Sequence, residues 1–256
     1  MRKLPHEGII FPLMKKTLLI IPTYNERENI TRLVALIRKI VPEATVCVVD
    51  GNSPDGTADA VKAMQRNDAG IILIEQAKKN GLGGAYRAGF ARALAEKDID
   101  TVITMDADFS HHPRYLPDLI AARASCDMAI GSRYVRGGGT HGWGLGRRLL
   151  SRFGNQYARF VTGMPFHDCT SGFNAISADL LRKTDWQLCG ASGFAFLMEL
   201  KWALMRRKPS WKEVPIVFED RKAGESKISA RIVYEGILLP LRMRFGKKRV
   251  YSDVSA

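Results

Sequence analysis

Residues 102–113 read VITMDADFSHHP, an apolar run that stops at two aspartates one residue apart, Asp106 and Asp108, before a polar turn reaches Pro113. Such a run reads as a buried strand, and two carboxylates at its end are costly unless something binds them. The pattern recurs along the chain in TLLIIPTY (17–24), TVCVVD (45–50), GIILIE (70–75) and DMAIGS (127–132). Helical stretches separate these runs. Ile30, Leu33, Val34, Ile37 and Val41 recur at helical spacing, DGTADAVKAMQ (55–65) follows the second run, and the Ala-rich GGAYRAGFARALAEK (83–97) follows the third. Asn25, with Glu28 three residues on, resembles a capping box. Continuous apolar strands, each followed by a helix, predict an α/β fold with a mainly parallel sheet and helices on both faces. Ligands of such sheets sit beyond the carboxyl ends of the strands, so Thr23 to Glu26, Asp50 to Asp55, Asp106 to Ser110, and Ser132 with Arg133 are expected to face one crevice.

After Gly137 the pattern changes. GGGTHGWGLG (137–146) is glycine-rich enough to predict a mobile loop that closes over substrate. RRLLSRFGNQYARFV (147–161) reads as an amphipathic helix, WKEVPIVF (211–218) as a strand, and SARIVYEGILLPLRMRF (229–245) as a last helix before a basic tail.

The 256 residues carry a formal charge of +13, so the natural partners are anionic: nucleic acid, an anionic membrane surface, or phosphorylated substrates. From Lys201 to the end, fourteen Lys and Arg face six Asp and Glu, which puts 14 − 6 = +8 of that charge in the last quarter. Cys47, Cys126, Cys169 and Cys189 make no CxxC pair, which fits neither a zinc site nor a disulfide framework and points to a reducing cytoplasm. No segment reaches the roughly 18 to 20 apolar residues that cross a bilayer. The chain is therefore expected not to span a membrane by itself.

Alternate residues of an extended chain face the same way, so Asp106 and Asp108 can share one hard divalent cation, Mg²⁺ or Mn²⁺. The competing reading is that Asp108 or Ser110 only caps a helix starting near Pro113. His111 and His112 are poorer ligand candidates, because adjacent residues seldom point at one ion. Asp50 is a candidate to hydrogen-bond a base or ribose, whereas Asp55 and Thr57 serve equally well as turn and cap residues. GLGGAYRAG (81–89) lacks the third glycine of a dinucleotide fingerprint, and no Walker A motif is present. Arg133, Arg147, Arg148 and Ser151 surround the glycine-rich loop and suit a second anionic substrate, since guanidinium groups grip phosphate bidentately.

Taken in order, PTYNERENI, DGNSPDGT, GLGGAYRAGF, MDADFSHHP, GSRYVRGG, RRLLSRFGN, DCTSGF and EVPIVFEDRKAGESKIS resemble the family 2 glycosyltransferases, in particular the dolichol-phosphate mannose synthases. The resemblance runs from about Thr17 to Leu239 and implies a GT-A fold, a GDP-mannose donor and a polyprenyl (dolichyl) phosphate acceptor. It implies that Pro22, Tyr24, Asn25, Glu26 and Asp50 hold the nucleoside, and that Asp106 and Asp108 hold metal and diphosphate. Ser110 falls where some relatives have a further metal ligand. Arg133, Arg147 and Ser151 match acceptor-phosphate positions, and Arg221 and Lys227 match a segment that closes over the donor. Arg133 is accordingly grouped with Asp106 and Asp108 as catalytic. Two departures stand out: relatives read Asp-Asp-Gly-Ser where this chain has Asp50-Gly51-Asn52-Ser53, and some carry C-terminal transmembrane helices that this chain lacks.

These readings divide the chain into an N-terminal extension (1–16), a catalytic domain (17–228) and an amphipathic basic helix and tail (229–256). The expected enzyme is an inverting mannosyltransferase on the cytoplasmic face of a membrane, bound peripherally through interfacial helices or through an anchoring partner subunit. A UDP-sugar transferase acting on the same lipid phosphate is the neighbouring reading. A nucleic-acid-binding protein is disfavoured, because the basic tail has few aromatics and no recognition motif.

Overall fold

The computed structural model describes residues 16–191, 193, 195–220 and 230–245, with backbone alone for 230–235. The five apolar runs form β1 (Lys16–Thr23), β2 (Thr45–Asp50), β3 (Ile71–Glu75), β4 (Ile99–Thr104) and β5 (Met128–Ser132). Between them lie α1 (Arg27–Ile40), α2 (Thr57–Gln65), α3 (Gly81–Ala95) and α4 (Leu116–Arg123). Then come β6 (Gly139–His141), α5 (Leu145–Thr162), β7 (Asn174–Ser177), α6 (Ala178–Arg182), α7 (Ala195–Met205), β8 (Trp211–Pro215), β9 (Val217–Glu219) and α8 (Ala230–Phe245). Seven strands form one sheet in the order β3-β2-β1-β4-β7-β5-β8, in which only the two pairings of β7 are antiparallel.

Alternation along the strands divides the core into two layers. Leu18, Ile20, Val102 and Ile176 pack with Tyr86 and Phe90 of α3 and Phe196 of α7 on one face. Leu19, Ile21, Ile103 and Ala175 pack with Ile30, Leu33 and Ile37 of α1 and Leu119 of α4 on the other. Each fully buried aliphatic side chain contributes about 1.5–3 kcal/mol, so these runs decide the sheet. Gly89 sets the depth of α3: a Cβ there would lie 2.4 Å from Ile20 Cγ2.

Three features depart from the sequence reading. The strand β7 has only four residues, too few for a periodic signal, and Asn174 anchors it by donating from Nδ2 to Thr104 Oγ1 at 3.1 Å. Because β4 and β5 both run antiparallel to β7, they are parallel to each other, and Thr104 and Ile130 both pair with Asn174, so Ser132 and Arg133 leave the sheet at the same edge as Asp106, one strand further along. The glycine-rich loop contains β6, which pairs in parallel with β9, so WKEVPIVF is split at Ile216 into two strands of different sheets. Finally, α1 has no capping box. Its entry is clasped from the β2 loop, where Asn25 N donates to Ser53 Oγ (3.0 Å), Glu26 N to Thr57 Oγ1 (3.1 Å) and Arg27 N to Asp55 Oδ2 (3.1 Å).

Candidate active site

A cavity of about 950 Å³ opens beyond the ends of β1 to β4, lined by Pro22, Tyr24, Asn25, Glu26, Gly51, Lys79, Asp106 and Asp108 among others. The clasp described above builds its near wall, and Asn25 holds φ at 59° to turn the chain into α1. Lys79 Nζ lies 3.4 Å from the centroid of the Tyr24 ring, a cation over an aromatic face at the cavity wall. Asp50 does not line the cavity. It is buried, with Oδ1 accepting from Thr23 Oγ1 (2.9 Å) and Ser53 Oγ (2.6 Å) and Oδ2 from Ser53 N (2.8 Å). Its carboxylate shapes the β2 loop from behind and leaves Gly51 as the residue on the wall.

Asp106 and Asp108 stand side by side on this wall, half-buried, just past the end of β4. Asp106 N donates to His111 Nδ1 at 3.1 Å, which requires a lone pair on that nitrogen. Burial pulls His111 down to about 4 against the opposing pull of Asp108, so the ring is neutral near pH 7 and remains an acceptor. His111 stacks on Phe173 at 5.1 Å, and Gly172 admits it: a Cβ there would lie 3.0 Å from His111 Cε1. His112 is spent elsewhere, capping the next turn by accepting from Arg114 N at 3.1 Å. Ser110 is buried behind Asp108, donating to its Oδ1 from N (3.0 Å) and from Oγ (2.6 Å), with Phe109 in the left-handed region at φ 62°. Ser110 thus orients Asp108. Among the described residues no cluster of three or more His, Cys, Asp and Glu forms a metal cage. Two carboxylates on an open cavity are the donor set Mg²⁺ and Mn²⁺ accept when substrate phosphates and water complete the shell.

A cationic cluster forms a second centre outside that cavity's lining. Arg133 is locked by Asp168, with Nε to Oδ2 and Nη2 to Oδ1 both at 2.8 Å, and Nη2 also reaches Thr170 Oγ1 at 2.7 Å. Both partners are nearly or wholly buried. Burial alone would raise the Asp168 carboxyl, but Arg133 and Lys201 outweigh it and hold it at about 2. Lys201 is wholly buried and donates to Ser171 O at 2.7 Å, and burial lowers its ammonium to about 8 although Asp168 opposes this. Above the pair, the Trp143 ring receives the guanidinium carbons of Arg147 at 4.1 Å and of Arg133 at 5.9 Å. Ser151 joins through Tyr134, whose Oη is 2.7 Å from Ser151 Oγ and whose ring lies 5.2 Å from the Arg133 Cζ.

The structure therefore gathers Pro22, Tyr24, Asn25, Glu26, Asp106 and Asp108 at one centre and Arg133, Arg147 and Ser151 at another. Aromatic rings link the two, since Phe218 meets Trp143 edge-on at 5.4 Å and His111 edge-on at 5.4 Å. Arg221 and Lys227 lie outside the described residues. Sequence reasoning gave no role to Asp168, Lys201, Trp143 or Phe218. Lys201 did leave a signal, as a lone cation inside the apolar run AFLMELKWALM.

A mainly parallel sheet whose first strand ends cradle a cavity closed by paired carboxylates defines a GT-A-type sugar-nucleotide transferase. The chain belongs to glycosyl transferase family 2, whose model matches residues 18–185. It is 40% identical over 223 residues to an undecaprenyl-phosphate mannosyltransferase of Micrococcus luteus, spanning 87% of this chain and 91% of that one. It is 39% identical over 225 residues to a polyprenol monophosphomannose synthase of Mycolicibacterium smegmatis, spanning 87% and 84%. Its fold matches glucosyl-3-phosphoglycerate synthase of Mycobacterium tuberculosis in complex with Mn²⁺, UDP and glucosyl-3-phosphoglycerate at a TM-score of 0.64 and 20% identity, covering 91% of this chain and 80% of that one. The protein is a glycosyltransferase.

Proposed function

We propose that the protein transfers mannose from GDP-mannose to a polyprenyl (dolichyl) monophosphate with inversion, releasing GDP. The names of the two relatives support both the sugar and the lipid acceptor. The observation that carries the reading is the pairing of a carboxylate-ended cavity with an arginine cluster that shares its aromatic support. A phosphate monoester has its second ionisation near 6, so at neutral pH the acceptor already carries its nucleophilic charge and needs no strong base. An acceptor oxygen attacks the anomeric carbon as the bond from that carbon to the donor's β-phosphate oxygen breaks. Tyr24 offers a stacking face for the base and the Asn25–Glu26 loop encloses the nucleoside. Arg147, with Ser151, positions the acceptor phosphate, and Arg133 sets the floor beneath it. Asp106 and Asp108 would hold a divalent cation, which would supply positive charge against that growing on the leaving diphosphate.

The test is a transfer assay with purified protein, a short polyprenyl phosphate and Mg²⁺ or Mn²⁺. Mannose transfer from GDP-mannose is the expected result. Transfer from UDP-glucose instead would assign the neighbouring activity.

Exposed side chains of α5 and α8 support a membrane-surface location for the acceptor. Leu145, Leu149, Leu150, Phe153 and Phe160 are exposed on α5 beside Arg148, Arg152 and Arg159, and Ile237, Leu241 and Phe245 are exposed on α8 beside Arg242 and Arg244. Tyr157 Oη donates to Ile237 O at 2.9 Å and ties the two helices together. No helix among the described residues is long and apolar enough to cross a membrane. Apolar side chains edged by cations suit the interface of an anionic cytoplasmic leaflet. Replacing both Phe153 and Phe160 by Glu is expected to weaken sedimentation with anionic vesicles by about ten- to a hundred-fold, as two lost aromatic insertions dictate. Unchanged sedimentation would remove this face from the account.

A further inference from the structure

Arg147 already holds an anion of the chain's own: its Nη1 donates to Asp220 Oδ1 at 2.8 Å. The contact is built on every side the structure describes. The Trp143 ring, 4.1 Å from the Arg147 Cζ, fixes the plane of the guanidinium. Asp220 N donates to His141 O at 3.1 Å, extending the β6–β9 pairing to bring this residue in. Gly142, with φ at 81°, yields the space: a Cβ there would lie 2.8 Å from Asp220 Cβ. A chain with a surplus of thirteen cationic charges has thus set one of its acids against the arginine expected to meet the acceptor.

Carboxylate and phosphate use the same guanidinium fork, so the two compete for one set of donor hydrogens. We propose that Asp220 is a positioning residue, whose carboxylate occupies the anion seat of Arg147 and must leave it before the acceptor phosphate binds, which weakens the binding of every phosphate at that seat by one common factor. The proposal rests on reading Arg147 as the ligand of the acceptor phosphate. Glycosyl transfer converts a phosphate monoester with close to two charges into a phosphodiester with one. Asp220 lowers the affinity of Arg147 for substrate and product alike, and by weakening the product complex it hastens product release.

The test is Asp220→Asn, with Asp220→Ala as a second variant. Removing a partly exposed competitor is expected to lower the KM for a short polyprenyl phosphate by roughly two- to five-fold and to strengthen inhibition by the glycosyl phosphodiester product at least as much. The KM for the sugar nucleotide stays unchanged. A merely damaged fold moves these constants the opposite way. Binding without turnover gives an independent readout, using tryptophan fluorescence titrated with methyl phosphate and dimethyl phosphate. Both variants bind each of these phosphates roughly two- to five-fold more tightly than the wild type, with the ratio between the two unchanged. If the variants bind them more tightly but the wild type glycosylates no lipid phosphate, the functional reading falls and the role of Asp220 stands. Unchanged phosphate affinity in the variants, or a raised KM for the lipid, overturns the proposal.

Discussion

Asp108→Ala lowers sugar transfer by about 10²- to 10³-fold while leaving the fold intact, the loss expected when one preorganised group facing the leaving diphosphate is removed. Asp108 is half-buried at the cavity wall, and its replacement forfeits the hydrogen bonds from Ser110 N and Oγ. Two such part-buried hydrogen bonds are worth about 0.5–1.5 kcal/mol each, small against the stability of a domain this size. Asp108→Asn separates charge from orientation, because its amide oxygen still accepts from Ser110. Turnover as low in Asn as in Ala assigns the effect to the missing charge, and calorimetric titration with Mn²⁺ and GDP should show metal affinity falling in both. Near-normal transfer by Asp108→Ala would refute the role given to the pair.

The parts of this molecule legible from sequence are those where a local pattern carries the whole energy. Continuous apolar runs fixed β1 to β5, because burial on both faces leaves no alternative for Leu18 to Ile21 or for Val46 to Val49. Asp106 and Asp108 were legible because alternation in an extended chain is a local rule. What escaped depends on partners distant in sequence. Asp50 looked like a ligand because a carboxylate at a strand end is conspicuous, yet Thr23, 27 residues away, and Ser53 consume it. The Asn25 and Glu28 pattern suggested a local cap, but Ser53, Asp55 and Thr57 supplied it from the next loop. Arg133 read as a free phosphate ligand, and nothing within its own stretch announced Asp168, 35 residues on. The residues grouped by chemistry were largely found, while the residues that aim them were not.

Asp168→Asn gives the largest loss of stability. The substitution keeps the shape of a side chain with no exposed surface and removes the charge between the Arg133 guanidinium and the Lys201 ammonium, itself wholly buried. Breaking one side of a buried ion pair costs about 3–5 kcal/mol, because the partner left behind is an uncompensated charge in a poor solvent. The pH dependence follows from the folded-state values. Asp168 sits at about 2 against an ordinary 3.8, so its stabilising share is full above 3.8 and is lost as pH falls toward 2. Lys201 sits at about 8 against 10.5, so its buried charge costs most below 8, and that cost is relieved as pH rises from 8 toward 10.5. Without Asp168 the ammonium loses the carboxylate that raised it and titrates lower still. The variant's deficit in urea unfolding is therefore expected to shrink as pH rises toward 8, starting at a lower pH than the wild-type group begins to lose its proton. Lys201→Met supplies the decisive cycle. Alone it takes the Lys201 donor from the Asp168 carbonyl and leaves Ser171 O with the longer bond from Asn174 Nδ2 at 3.3 Å, which weakens the fold, but combined with Asp168→Asn it removes one of two stranded cations and restores part of the loss. A double variant as unstable as the sum of the singles would show that Lys201 and Asp168 do not act on each other.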